Sequence, residues 1–143
     1  MSKIKVVSKV LQIKNQKKEE IEMEVKSLRN MINLAERRLE SFEKTFAETT
    51  EIFHKKQAMG EMNVSELSLF HNYFIKLNGD INAQKMEMTN RLEELGIMQD
   101  ELIEAHTEKK LFEILKGKIV LENTREKEAT EQKEMDFMFL TKR

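Results

Sequence analysis

The chain has no cysteine. A disulfide framework, a thiolate zinc site and a cysteine nucleophile are therefore excluded, which suits a reducing compartment. It has no proline, so no residue in it obliges a helix to stop or kink. It has no tryptophan, and aromatic residues make up only 6% of it, which leaves a compact globular core poorly supplied. Four glycines in 143 residues leave few places for a tight turn. No stretch approaches the ~20 apolar residues of a membrane span. The basic opening, MSKIKVVSKVLQIK, lacks the continuous apolar run and small-residue cleavage site of a signal peptide. Charge of one sign is also missing: the formal net charge is −1 and the pI about 6.4. That argues against a dedicated nucleic-acid binder, which needs a basic face to neutralise phosphates. The expectation is a soluble, cytoplasmic protein that binds no nucleic acid and has no direct membrane span.

What the chain does have is charge of both signs (36%) and hydrophobic residues (39%), mostly Glu, Lys, Leu, Met, Ile and Asn. Such a composition reads as long helices. Disorder competes for so charged a chain, but disorder predicts no apolar period. A period is present. Positions spaced alternately three and four from Ile4 run through Val7, Leu11, Ile21, Val25, Leu28, Ile32, Ala35, Leu39, Phe42, Phe46 and Phe53, interrupted only by Lys14, Lys18 and Thr49. This is a heptad seam, sustained far longer than one face of an ordinary globular helix. A second seam runs from Leu67 through Phe70, Phe74, Leu77, Ile81, Met88, Leu95, Met98, Leu102, Ala105 and Phe112 to Ile119, with Gln84, Arg91, Lys109 and Lys116 as its polar members. Its next positions, Asn123, Glu126, Thr130 and Lys133, are all polar, and Phe137 and Leu140 then resume it.

Between the seams lies Ala58-Met59-Gly60-Glu61-Met62-Asn63. Gly60 can take the left-handed conformation that closes a helix. Asn63 is a good N-cap, and Glu66 can reach back to it in a variant of the capping box. The expected fold is all-α: one coiled-coil hairpin over residues 1–143, with helix 1 at about 4–58, a turn at 59–63 and a longer, overhanging helix 2 at about 64–140. A turn centred near Glu61 sets Ile4 opposite about Lys118, where the second stripe ends. It also sets Lys14 and Lys18 near Glu108 and Glu104, so that opposite charges meet at the polar layers of the first seam. Gly79, Gly96 and Gly117 fall inside helix 2, each costing about 1 kcal/mol relative to Ala, and mark either bends or close contacts.

No phosphate-cradling glycine motif occurs, and a two-helix hairpin lacks a concave pocket in which to desolvate a catalytic group. No catalytic residue, cofactor site or metal site is expected, and the chain is not expected to be an enzyme. His54 and His71 flank the turn, but with no third ligand they read as surface or seam histidines. The aromatic residues crowd the turn-proximal half, where Tyr73 stands off the seam beside Phe74 as a candidate binding surface. Lys3, Lys5, Lys9, Lys14, Lys17 and Lys18 all precede the first acid, Glu19. The hairpin brings this basic arm to the same end as the overhang, whose apolar close, Phe137-Met138-Phe139-Leu140, makes it a candidate docking element.

Two stretches carry a family likeness. Phe70-x-x-Tyr73-Phe74-x-x-Leu77-x-x-x-Ile81 resembles the aromatic start of the second helix in the flagellar export protein FliJ family. Glu131-Gln132-Lys133-Glu134-Met135-Asp136 resembles that family's C-terminal stretch, with Phe137 where the family has an acid. The plan of long helix, short turn and longer helix is similar over nearly the whole chain, and similar also to the counterparts in type III secretion injectisomes. The resemblance implies a stalk-like coiled coil of the flagellar export apparatus. It implies three partners: the export ATPase hexamer, whose assembly and activity the stalk promotes; the cytoplasmic linker of the export-gate membrane protein; and export chaperones. It implies a cytoplasmic location, peripheral to the inner-membrane export apparatus. On this resemblance the ATPase-ring surface would comprise Lys3, Lys5, Lys9, Val120, Leu121, Arg125, Gln132, Lys133, Asp136, Phe137 and Leu140. The gate surface would comprise Phe42, Thr45, Thr49, Tyr73, Leu77, Asp80 and Gln84. Thr45 and Thr49 lack the rings that family members can carry there, and Asp80 is larger than the small residue expected. The alternative reading is a generic coiled-coil chaperone or scaffold, either a prefoldin-like hairpin or a parallel homodimer. Residues 59–63 are too few for the β-hairpins of the first, and the second would reduce the turn signals to interruptions.

Overall fold

The computed structural model describes residues 2–141. Two helices pack against each other as a hairpin, α1 over Lys3–Met59 and α2 over Val64–Thr141, and the described residues include no strand. The polypeptide divides into two compact units, Glu24–Gln99 and Met1–Met23 with Asp100–Arg143.

The Glu24–Gln99 unit holds the turn. Gly60 has φ 68°, a left-handed conformation that costs a residue with a Cβ about 1–2 kcal/mol. Gly60 N–H donates to the Gln57 carbonyl at 3.2 Å and Glu61 N–H donates to the Lys56 carbonyl at 3.2 Å. This pair of reversed bonds is the Schellman motif, and it satisfies carbonyls that the end of α1 would otherwise orphan. Three residues on, Asn63 Oδ1 accepts from Glu66 N–H at 2.8 Å and begins α2. Only this forward half of the expected capping box forms; the Glu66 side chain lines a surface groove instead of returning to Asn63. Val25, Leu28 and Ala35 of α1 and Leu77 and Ile81 of α2 are buried, all of them seam positions. Towards the turn the seam becomes a cluster of rings: Phe46 to Phe74 at 5.3 Å, Phe53 to Phe70 at 5.4 Å and Phe53 to Phe74 at 5.8 Å, all edge-on. Such pairs contribute about 0.5–1.5 kcal/mol each beyond the area they bury. Leu67, expected in the seam, is exposed at 41%: it lies in the first turn of α2, beside the end of the hairpin.

The other unit pairs the start of α1 with the later part of α2. Ser2 Oγ accepts from Lys5 N–H at 3.3 Å and caps α1. Val7, Ile21, Ala105 and Ile119 are its buried residues, again on the seams. Lys14 Nζ meets Glu108 Oε2 at 2.9 Å across the two helices, in the antiparallel register that the apolar count predicts. Lys18 does not reach Glu104. It pairs with Glu22 of its own helix at 3.5 Å, at the i,i+4 spacing where side chains on one helix face meet. After Ile119 every described residue of α2 is exposed. The helix persists there because Glu, Lys, Arg, Gln, Ala and Met have high helix propensity and no glycine follows Gly117. At Gly79, Gly96 and Gly117 an added Cβ would meet nothing within 4 Å, so close contact does not account for these glycines.

Candidate interaction surfaces

The described residues include no buried polar or charged side chain and no group of three metal-ligating residues. What they offer is surface, of two kinds. The first is the C-terminal part of α2 beyond Ile119. Its apolar side chains face solvent: Val120 43%, Leu121 50%, Phe137 68% and Leu140 67% exposed, with Met135 and Met138 alongside. Arg125 and Lys133 are exposed among them. Gln132 Nε2 donates to Asp136 Oδ1 at 3.1 Å along the helix, an arrangement that holds both side chains on the outer surface. Lys133 and Phe137 line one shallow depression with Thr130, Glu134 and Met138. Lys3, Lys5 and Lys9 are exposed on the first turns of α1, in the same unit. Nearby, Glu108 is held below the usual carboxylate range, first by the hydrogen bond from Lys14, then by the charge of Lys14 and of Lys17, with partial desolvation opposing.

The second surface lies in the Glu24–Gln99 unit. The structure brings Thr49 and Tyr73 together on one open groove with Ile52, Lys56, Glu66, Leu69 and Phe70. Ile52 and Leu69 are 51% and 67% exposed, and Lys56 Nζ sits 5.9 Å from the Phe70 ring centre. The other residues of the gate set are placed differently. Leu77 is buried in the seam. Phe42, Asp80 and Gln84 are half-buried, and Gln84 Oε1 is shielded with no hydrogen-bond partner. Thr45 and Thr49 turn their hydroxyls back onto their own helix, donating to the Ser41 and Thr45 carbonyls at 3.0 and 2.7 Å. Sequence reasoning missed Ile52 and Leu69. The signal was available: each is a large apolar residue next to the seam on the side that also carries Tyr73.

Both surfaces are open and carry exposed apolar side chains, which suits contact with another macromolecule. No helix of the described residues is long and apolar enough to cross a membrane. No curated protein and no solved structure matches the chain at a significant level. The family model described as "Flagellar FliJ protein" matches residues 4–138, nearly the whole chain. That span contains both seams, the capped turn and most of the unpaired C-terminal helix. The chain belongs to the flagellar FliJ protein family, whose role lies in the flagellar export apparatus.

Proposed function

We propose that this chain is the stalk-like coiled coil of the export apparatus, a single hairpin that works in the cytoplasm at the inner-membrane export machinery. Its C-terminal helix, from Val120 to Leu140, engages the ring of the export ATPase with the Lys3–Lys9 arm and promotes the ring's assembly and activity. The Thr49–Tyr73 surface meets the cytoplasmic linker of the export gate, and export chaperones associate with the same molecule. One observation carries the reading. The seam buries its own apolar residues up to Ile119, and the helix then continues with every side chain exposed, including Phe137 and Leu140. A helix that keeps its apolar side chains in water supports docking, because covering them stabilises a complex by about 25 cal/mol per Å² buried.

The test is deletion of residues 123–143. ATPase stimulation should be lost while helicity per residue stays nearly unchanged, since nothing in the seam depends on that segment. Full stimulation by the truncated protein would sink the assignment. A pull-down from a flagellated cell lysate with both forms should recover the export ATPase with the full chain alone.

A further inference from the structure

The Glu24–Gln99 unit carries a second groove, lined by Glu24, Ser27, Leu28, Glu94, Ile97 and Met98. Both grooves lie on the same side of the seam. Glu24 and Ile52 are whole heptads apart on α1, as are Leu69 with Ile97 and Tyr73 with Glu94 on α2, so each pair shares one position of the repeat. The same side bears Met31 and Leu34, 43% and 48% exposed, while Ile97 is 60% exposed. This flank of the unit is therefore apolar at two places, one near the turn and one remote from it, with charged residues between and around them.

We propose that this flank binds a second copy of the chain, antiparallel, about a twofold axis passing near Glu40 of α1 and Asn82 of α2. A twofold interface must be self-complementary: what one copy offers at one place, the other must receive. In this register the Ile52–Leu69 groove of each copy covers the Met31–Ile97 region of the other, to within one helical turn. The same register sets Glu24 opposite Lys56 of the second copy, and Lys76 beside its Glu87. None of these four residues makes an ion pair within the chain among the described residues, and each is available to the other copy. Side-by-side packing in the parallel sense would also bring opposite charges together, Lys56 opposite Glu66 and Glu48 beside Lys76, but it would set Glu24 close to Glu94, a like-charge contact. The antiparallel register pairs opposite charges without that contact, and it is the arrangement we propose. The interface would cover Thr49 and Tyr73, so self-association would withdraw that surface from any other partner. The proposal does not rest on the export partners and stands or falls separately from them.

The full-length chain, studied by sedimentation over a range of concentrations, should show a reversible monomer–dimer equilibrium. Ile52→Glu with Leu69→Glu, and separately Met31→Glu with Ile97→Glu, should each weaken it at least ~tenfold with the helical circular-dichroism signal retained. E24K and K56E should each weaken it, and the two combined should restore it, because the reversed charges meet again across the interface. The chain has no cysteine, so spin labels attached through S41C report only one site per copy. They should lie close together between copies, near the axis, whereas labels at S27C should lie far apart. A chain that stays monomeric at every concentration would overturn the proposal. So would a dimer indifferent to both groove variants, one that depends on Phe137 and Met138 instead, or a charge swap that fails to restore association.

Discussion

Leu77→Ala separates the seam from the surface. Leu77 belongs to the gate set by resemblance, yet its side chain is 4% exposed and packs within the seam. The substitution removes three carbon groups, and at about 0.8 kcal/mol each their lost transfer free energy is about 2.4 kcal/mol. A cavity term adds to this, but a two-helix hairpin can close partly around the gap. The total should therefore fall at about 2.5–4 kcal/mol, within the range for buried leucines. Urea unfolding followed by circular dichroism at 222 nm measures it, and with a slope of about 1–3 kcal/mol per molar the midpoint should drop by about 1 M or more. Leu111→Ala is the matched control: at 61% exposure it should change stability by no more than about 0.5 kcal/mol. Tyr73→Ala should behave like the control in stability while weakening whatever binds the groove. If Leu77→Ala cost less than about 1 kcal/mol, the claim that seam burial holds the hairpin together would be refuted. Loss of gate binding by Leu77→Ala at full folded population would make this residue a contact after all.

Four further outcomes follow from the same geometry. Glu108 has its pKa lowered by Lys14, so its contribution is present above the ordinary carboxylate value and is lost as pH falls through the depressed one. Urea midpoints of the wild type and Glu108→Gln, compared between neutral and acid pH, should converge in that window, and a gap that widened there would contradict the sign. Gly79→Ala and Gly117→Ala should each raise stability by about 0.5–1 kcal/mol, seen as a higher thermal midpoint, because the added methyl meets nothing and the helix gains propensity. Gly60→Ala should do the opposite and cost about 1 kcal/mol or more, since φ 68° strains any residue with a Cβ. Asn63→Ala should cost about 1 kcal/mol through loss of the hydrogen bond to Glu66 N–H, and Asn63→Asp should largely retain it.

The sequence by itself determined the helices, their number and their pairing. With no proline, two long heptad seams and a glycine-containing turn between them, a hairpin buries both stripes within one chain. The end of the second stripe at Ile119 likewise announced the unpaired helix that follows. These features were legible because they depend on spacing along a helix, which the order of residues sets directly. The tertiary structure decided what depends on distance between helices. It gave Lys14 its partner Glu108 but turned Lys18 to Glu22. It buried Leu77 in the seam and brought Ile52 and Leu69 beside Tyr73. A residue on a seam and one beside it look alike in composition, and only the packing of the second helix settles which of them water can touch.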